Sequence, residues 1–253
     1  MTYSEIKKEA KKNLKGKWGT AVCIMLEYML VSFVIQFILS LTQKTIFYFL
    51  SSIIELIISV PLSFSLILSF IKLKKGENIG TFDFLTHLLD NFIRAWTIFG
   101  NILLKLLLPI IIIIFLYVII TLSISNNLFG IIPDSLLTTF TSFNSSSLIF
   151  LLLLIVLIAI LIWFFIKSLL YVLVYPISYN NPQLTSKEVV NESAKLMKGN
   201  RFKYFLLQLS FINWIIPASL IFGIGFLWLT PYIEFSTLCL YDSLIKKSKK
   251  AQI

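Results

Sequence analysis

The basic residues are spaced in a way that only a membrane explains. Between Lys17 and Lys44 lie 26 residues without Lys or Arg, and between Lys44 and Lys72 another 27. Both intervals are dominated by apolar side chains, and about 20 such residues cross a hydrocarbon core. Lys105 to Lys167 encloses 61 residues, room for two crossings and a loop, while Lys203 to Lys246 encloses 42, enough for a tight hairpin. The loop is expected from Ser123 to Ser147, which holds Gly130 and Pro133, and the hairpin is expected to turn near Gly223-Ile224-Gly225. The spans then fall at 19–41, 46–71, 104–124, 148–174, 204–222 and 226–245. Composition agrees: 58% of the 253 residues are hydrophobic and 13% charged, with mean hydropathy +0.90, where a soluble domain carries about 25% charged residues. The expected fold is all-α, a polytopic helical bundle of six transmembrane helices forming a single membrane domain over residues 1–253.

The charges orient it. Lys7, Lys8, Lys11, Lys12, Lys15 and Lys17 precede the first span, and Lys72, Lys74, Lys75 and Arg94 fall between the second and third. Lys187, Lys195, Lys198, Arg201 and Lys203 fall between the fourth and fifth, and Lys246, Lys247, Lys249 and Lys250 follow the last. Only Lys44 lands on the other side, while Lys105 and Lys167 can snorkel inward. The positive-inside rule therefore places both termini in the cytoplasm. The net charge of +10 is distributed for anionic headgroups of the inner leaflet, and nucleic acid is not an expected partner. The apolar run from Gly19 to Leu41 is too long for a signal peptide and reads as a retained anchor.

Each hairpin is preceded by an amphipathic segment. The first begins at a capping box, Thr2 with Glu5, and aligns Ile6, Ala10 and Leu14 against a lysine-rich face. The second follows Gly80, with Leu85, Leu88, Leu89, Phe92 and Trp96 on one side. The third repeats the capping box at Thr185 and Glu188, turns Val189, Ser193, Leu196 and Met197 inward, and has Gly199 as its C-cap. These helices are expected to lie on the inner leaflet, lysine stems on acyl chains and ammonium groups among headgroups. At a spacing of 183, Glu9, Lys12, Leu14, Lys15 and Gly16 correspond to Glu192, Lys195, Met197, Lys198 and Gly199. Either one unit, an interfacial helix plus a two-span hairpin, occurs in three parallel copies, or Lys-Gly before a span is a shared boundary.

Candidate chemistry is sparse. Glu27, Glu55 and Glu234 fall inside spans, where a carboxylate costs on the order of 2.5–3.5 kcal/mol on insertion scales and should face inward to a partner. They are either intramembrane polar contacts for a cation, proton or substrate, or structural groups bonded to neighbours; Glu27 fits the structural role best. Pro61, on the same span as Glu55, frees a carbonyl for another donor. The single histidine, His87, reads as a solvated interfacial residue. Cys23 and Cys239 read as small hydrophobes. No metal cluster, nucleophile elbow, phosphate loop or cofactor motif occurs, so neither catalysis nor a cofactor is expected. Trp18, Trp96 and Trp228 lie near span ends, where interfacial aromatics collect.

From Tyr171 to Leu244 a series of motifs appears in order: Asn181-Pro182, Glu192-Ser193, Met197-Lys198-Gly199-Asn200, Phe205, Leu209-Ser210-Phe211 and Trp214. Gly223-Ile224-Gly225, Trp228, Pro231-Tyr232 and Tyr241 follow. With the opening Ile6-Lys7 to Leu14-Lys15-Gly16, this resembles the bacterial integral-membrane family catalogued as domain of unknown function 975. Asn213 stands where a Gly is usual before the Trp, and a Pro-Gly pair near the end of the fourth span is missing. The resemblance implies a bacterial plasma-membrane location, mainly in Gram-positive species, and brings no activity with it. The family is also distantly similar to the membrane portion of some glycerophosphodiester phosphodiesterases, where a soluble domain performs the hydrolysis.

The functional expectation is a non-catalytic multi-pass membrane protein that binds lipid or an amphipathic peptide, or serves as a membrane subunit of a larger complex. Lys195, Lys198 and Arg201 are the expected headgroup contacts. The rival expectations are a small transporter or channel using the glutamates, or self-protection against a membrane-active peptide.

Overall fold

The computed structural model describes residues 2–41, 45–80, 83–124, 145–220 and 223–250. The expected loop around Gly130 and Pro133, and Lys44, lie outside these residues. The secondary structure of the described residues is helical, without a strand. In chain order the helices are α1 Tyr3–Leu14, α2 Trp18–Ser40, α3 Thr45–Lys75, α4 Asp83–Asp90, α5 Phe92–Ile124 and α6 Ser145–Ser168. A 3₁₀ turn at Leu169–Tyr171 leads to α7 Val174–Asn180, α8 Ser186–Met197, α9 Arg201–Leu209, α10 Ile212–Leu220 and α11 Phe226–Lys250.

Three stretches are long and apolar enough to cross a membrane: Trp18–Ser40, Ser51–Lys75 and Leu154–Asn180. A fourth is reached if the halves of α5, Phe92–Leu107 and Pro109–Ile119, broken at Pro109, form one span. The expected span 204–222 is divided into α9 and α10, because the chain turns at Ser210 and Phe211 buries its ring completely.

The chain forms two compact units, Met1–Asn101 with Leu170–Ile253, and Ile102–Leu169. In the second, apolar side chains such as Leu104, Ile111, Phe115, Leu152 and Ile162 are exposed, as lipid-facing helices require. Its Lys167 folds back over the Trp163 ring, 5.4 Å from the centroid.

The first unit is organised around α11, whose residues from Phe235 to Tyr241 are all buried. A helix buried on every side needs neighbours on every side, and α1, α2, α3 and α10 supply them. Phe70 of α3 meets Phe235 edge to face at 6.1 Å. The amphipathic helices are part of this packing. Ile6, Ala10 and Leu14 of α1 are each 0% exposed, and α1 lies against α11. The apolar stripe expected to rest on lipid therefore rests on protein.

The match between the first and third amphipathic segments extends to backbone geometry. Thr2 and Thr185 both close capping boxes, with Thr2 N donating to Glu5 Oε2 at 2.9 Å and Thr185 N to Glu188 Oε2 at 2.8 Å. These paired bonds satisfy amides that a helix start leaves without partners. Gly16 and Gly199 leave the two helices at φ 80° and 82°, a region that costs other residues roughly 1–2 kcal/mol. Val189, Ser193 and Met197, the counterparts of Ile6, Ala10 and Leu14, are likewise fully buried. Ser193 is satisfied there: its Oγ donates to Leu170 O at 2.7 Å and accepts from Leu173 N at 3.2 Å.

The second amphipathic segment departs from expectation. Asn91 divides it into α4 and the start of α5, and the buried positions are Phe84, His87, Ala95 and Ile98, whereas Leu89 is 74% exposed. His87 is correspondingly buried rather than solvated. Its Nδ1 faces Ser69 Oγ at 3.4 Å and its Nε2 meets the Lys72 ammonium. An ammonium only donates, so Nε2 accepts and the ring is neutral, with its proton on Nδ1. Arg94, expected only as a cytoplasmic charge, fastens α5 to the α7–α8 connection. Its Nε donates to Ser178 Oγ at 2.6 Å, Nη1 to Pro182 O at 3.1 Å, and Nη2 to Ser178 O and Leu184 O at 3.3 Å.

Candidate functional site: an aromatic groove beneath two lysines

Lys7 and Lys11, one turn apart on α1, flank the stripe that docks on α11. That docking sets them over the start of α2 and the hairpin of α10 and α11. A groove of about 640 Å³ opens there, lined by Trp18, Trp214, Pro217, Ala218, Trp228, Leu229 and Tyr232 beneath the two lysines. Gly225 makes its floor possible, because a Cβ at this position would stand 2.5 Å from Ala218 Cα. Only glycine lets the two arms of the hairpin approach so closely. Gly223, at φ 78°, makes the turn itself.

Lys7 is half-buried and held on three sides. Its Nζ donates to Ser210 O at 3.1 Å and Ser210 Oγ at 3.3 Å, and sits 4.2 Å from the Phe211 ring centroid and 6.0 Å from that of Tyr232. Phe211 meets Tyr232 edge to face at 5.1 Å, and the Tyr232 hydroxyl donates to Lys7 O at 3.4 Å. Burial, and then the neighbouring Lys11 charge, push the Lys7 ammonium below its ordinary pKa. Trp214 and Trp228 remain 61% and 50% exposed, so much of the aromatic wall is open. The site thus offers an apolar wall ending in two cations, one of them anchored. It holds no general acid–base pair; it can hold an apolar chain and neutralise an acidic head.

Of the motif residues, Trp214, Gly225 and Tyr232 come together here, Gly223 turns the hairpin, and Pro231 is buried on α11. Gly199 and Asn200 lie at the α8–α9 junction instead. The three glutamates stay apart. Glu27 is half-buried on α2. Glu55, expected to face inward, is exposed along a separate groove of about 490 Å³ with Ser32, Gln36, Ser59 and Thr230. Glu234 is half-buried on α11, within electrostatic reach of Tyr175 and Tyr204.

Lys195, Lys198 and Arg201 each have their own surroundings. Lys195 pairs with Glu192 at 3.7 Å, Lys198 points to the exterior, and the Arg201 charge acts on Tyr171. Cys239 is buried beside Asn13 Nδ2 at 3.3 Å, whereas Cys23 is exposed; both are free thiols. Among the described residues no group of three His, Cys, Asp or Glu side chains is placed to hold a metal. Lys7 and Lys11 escaped notice as site residues because they read as two of six charges obeying the positive-inside rule. Their one local signal is the i, i+4 spacing beside the buried stripe, the second of them seven residues before Trp18.

No curated protein and no solved structure matches the chain. The chain belongs to the family described as protein of unknown function (DUF975), whose match runs from residue 1 to residue 248.

Proposed function

We propose that this is a non-catalytic, multi-pass protein of the bacterial plasma membrane that binds an anionic lipid, with the acyl chain along Trp18, Trp214 and Trp228 and the acidic head at Lys7 and Lys11. The observation that carries this reading is the half-buried Lys7 ammonium, fixed by Ser210 and Phe211 at the end of an open aromatic wall. A partly desolvated cation beside a second cation gains most from an anion delivered into the same low-dielectric site. The six-span topology with both ends in the cytoplasm fits, because Lys7 and Lys11 then stand at the inner-leaflet headgroups.

The reading includes a threefold repeat. α4 docks on α3, α8 on α7, and α1 on α11, so each amphipathic helix covers the end of the preceding unit and the first covers the last. These dockings, with the matched capping boxes and glycine exits, support a repeated unit of one interfacial helix and a two-span hairpin.

The test is quenching of tryptophan fluorescence in vesicles by brominated phosphatidylglycerol against brominated phosphatidylcholine. The wild-type chain is expected to be quenched preferentially by the anionic lipid, and Lys7→Gln/Lys11→Gln to lose the preference while keeping its melting temperature within a few degrees. Equal quenching by both lipids in the wild type would overturn the reading. Quenching that is equal for the two lipids and relieved by an added acidic amphipathic peptide would assign the groove to peptide.

A transport reading rests on Glu55, whose carboxylate shares its groove with Ser32, Gln36, Ser59 and Thr230. It requires that Glu55→Gln abolish flux in reconstituted vesicles without loss of folded protein.

A further inference from the structure

A second cationic cavity lies away from the aromatic groove, between the first turn of α9 and the last turns of α11. It measures about 620 Å³ and is lined by Asn200, Lys203, Ser243, Leu244, Lys246, Lys247, Lys249 and Lys250. Its four α11 lysines have an ordinary explanation, since a helix C-terminus carries partial negative charge and favours cations. Lys203 does not. It sits in the first turn of α9, where the helix end is partially positive, and no side chain caps that end. The Asn200 amide is turned away to Leu196 O at 2.9 Å.

Lys203 is also half-buried, and burial and then the Lys247 charge press its ammonium below the ordinary pKa. Glu5 lies within electrostatic reach of Lys203, but its carboxylate is held by Thr2 N at 2.9 Å in the α1 capping box. Among the described residues none of the five lysines is ion-paired. Three influences thus disfavour the charge on Lys203, namely a helix end, a neighbouring cation and partial burial. An anion seated between Lys203 and Lys247 would offset all three.

We propose that this cavity is a phosphate site, taking a ligand with two or more negative charges on phosphate, either free in solution or as a lipid headgroup. Five ammonium groups around one concavity suit a compact multivalent anion. Lysine binds phosphate as a mobile point charge, without the planar fork that carboxylate pairing exploits. Leu244, 4% exposed, closes the floor, so the ligand meets cations at the rim and an apolar base.

The test uses the full chain in nanodiscs of phosphatidylcholine and follows its melting temperature. One arm titrates sodium pyrophosphate against sodium chloride at equal ionic strength, and the other replaces part of the phosphatidylcholine with phosphatidic acid. At least one arm is expected to stabilise the wild type. Lys203→Gln/Lys247→Gln should weaken that response about tenfold in apparent affinity, and Lys203→Arg/Lys247→Arg should retain most of it. A response to pyrophosphate identifies a soluble phosphate ligand, and a response to phosphatidic acid alone identifies a headgroup. Lys195→Gln/Lys198→Gln removes two charges outside the cavity and should respond as wild type, and the phosphatidic acid arm is read in a Lys7→Gln/Lys11→Gln background, so that lipid held in the aromatic groove does not enter it. No stabilisation in either arm, or an equal loss in the Lys195/Lys198 control, would overturn the proposal.

Discussion

The indole N–H of Trp96 donates to the carbonyl of Ile57 at 3.1 Å. Ile57 O is the acceptor four residues before Pro61, the one that the proline, lacking an amide, leaves without its helical partner. A side chain from α5 thereby completes the hydrogen bonding of α3 and ties the two helices at the point where α3 is weakest.

Trp96→Phe keeps the ring and removes the donor, so it should cost about 1 kcal/mol. In a Pro61→Ala background the restored backbone amide takes over Ile57 O, and the same substitution should then cost less than half as much. A double-mutant cycle on thermal or denaturant unfolding in detergent reads the difference. Additive costs would mean that the indole bond does not compensate for the proline.

His87 should make stability fall in acid. Burial first, and then the Lys72 charge, hold its pKa below the ordinary value, against opposing pulls from Asp83, Asp90 and Glu77. Protonation therefore favours the unfolded chain. The contribution is complete above about pH 6.5, the unfolded value, and is lost as pH drops from there through the lower folded value. His87→Gln should flatten the melting temperature between pH 7 and pH 5 relative to wild type. An unchanged slope would show that another group governs it.

Two glycines on helices or at their starts should respond with opposite sign. Gly225→Ala places a Cβ 2.5 Å from Ala218 Cα, and separating the two helices should cost about 1–3 kcal/mol. Gly100, inside α5, has nothing within 4 Å of the place a Cβ would occupy. Gly100→Ala should therefore raise stability by about 0.5–1 kcal/mol through helix propensity. Melting temperatures of the two variants, compared in the same detergent, decide it.

Lys74 and Asp242 pair across α3 and α11, with the lysine side chain 15% exposed and the aspartate 46%. Asp242→Asn would strand a mostly buried ammonium and should cost about 2 kcal/mol, between the limits for exposed and buried pairs. Lys74→Met/Asp242→Leu removes both charges and should recover most of that loss. A double variant no more stable than Asp242→Asn would contradict this account.

The features readable from sequence are those set by neighbours in the chain. The interval after Lys17 predicts 19–41 and α2 runs Trp18–Ser40; Thr2 and Thr185 both cap, and Gly199 exits left-handed as expected. Periodicity placed Ile6, Ala10 and Leu14 on one face, but amphipathicity says only that a face avoids water. Whether acyl chains or α11 cover it depends on partners more than two hundred residues away. The same distance hides the groove, since Lys7 and Ser210 are 203 positions apart. Hydropathy summed over 204–222 could not register the turn at Ser210, because inward-facing Phe211 scores like a lipid-facing residue. Leu89 misled for the related reason that Asn91 resets the helical phase midway through its segment.

The docking of α1 on α11 also sets a timetable for biosynthesis. At about 5–20 residues per second, the ribosome makes the last helix roughly 10–40 s after the first. Throughout that interval Ile6, Ala10 and Leu14 lack the surface they finally cover, and membrane lipid is the apolar surface at hand. The lysine-flanked amphipathic pattern is therefore suited to two successive environments. It can hold the nascent segment on lipid until translation delivers α11, and then exchange lipid for protein.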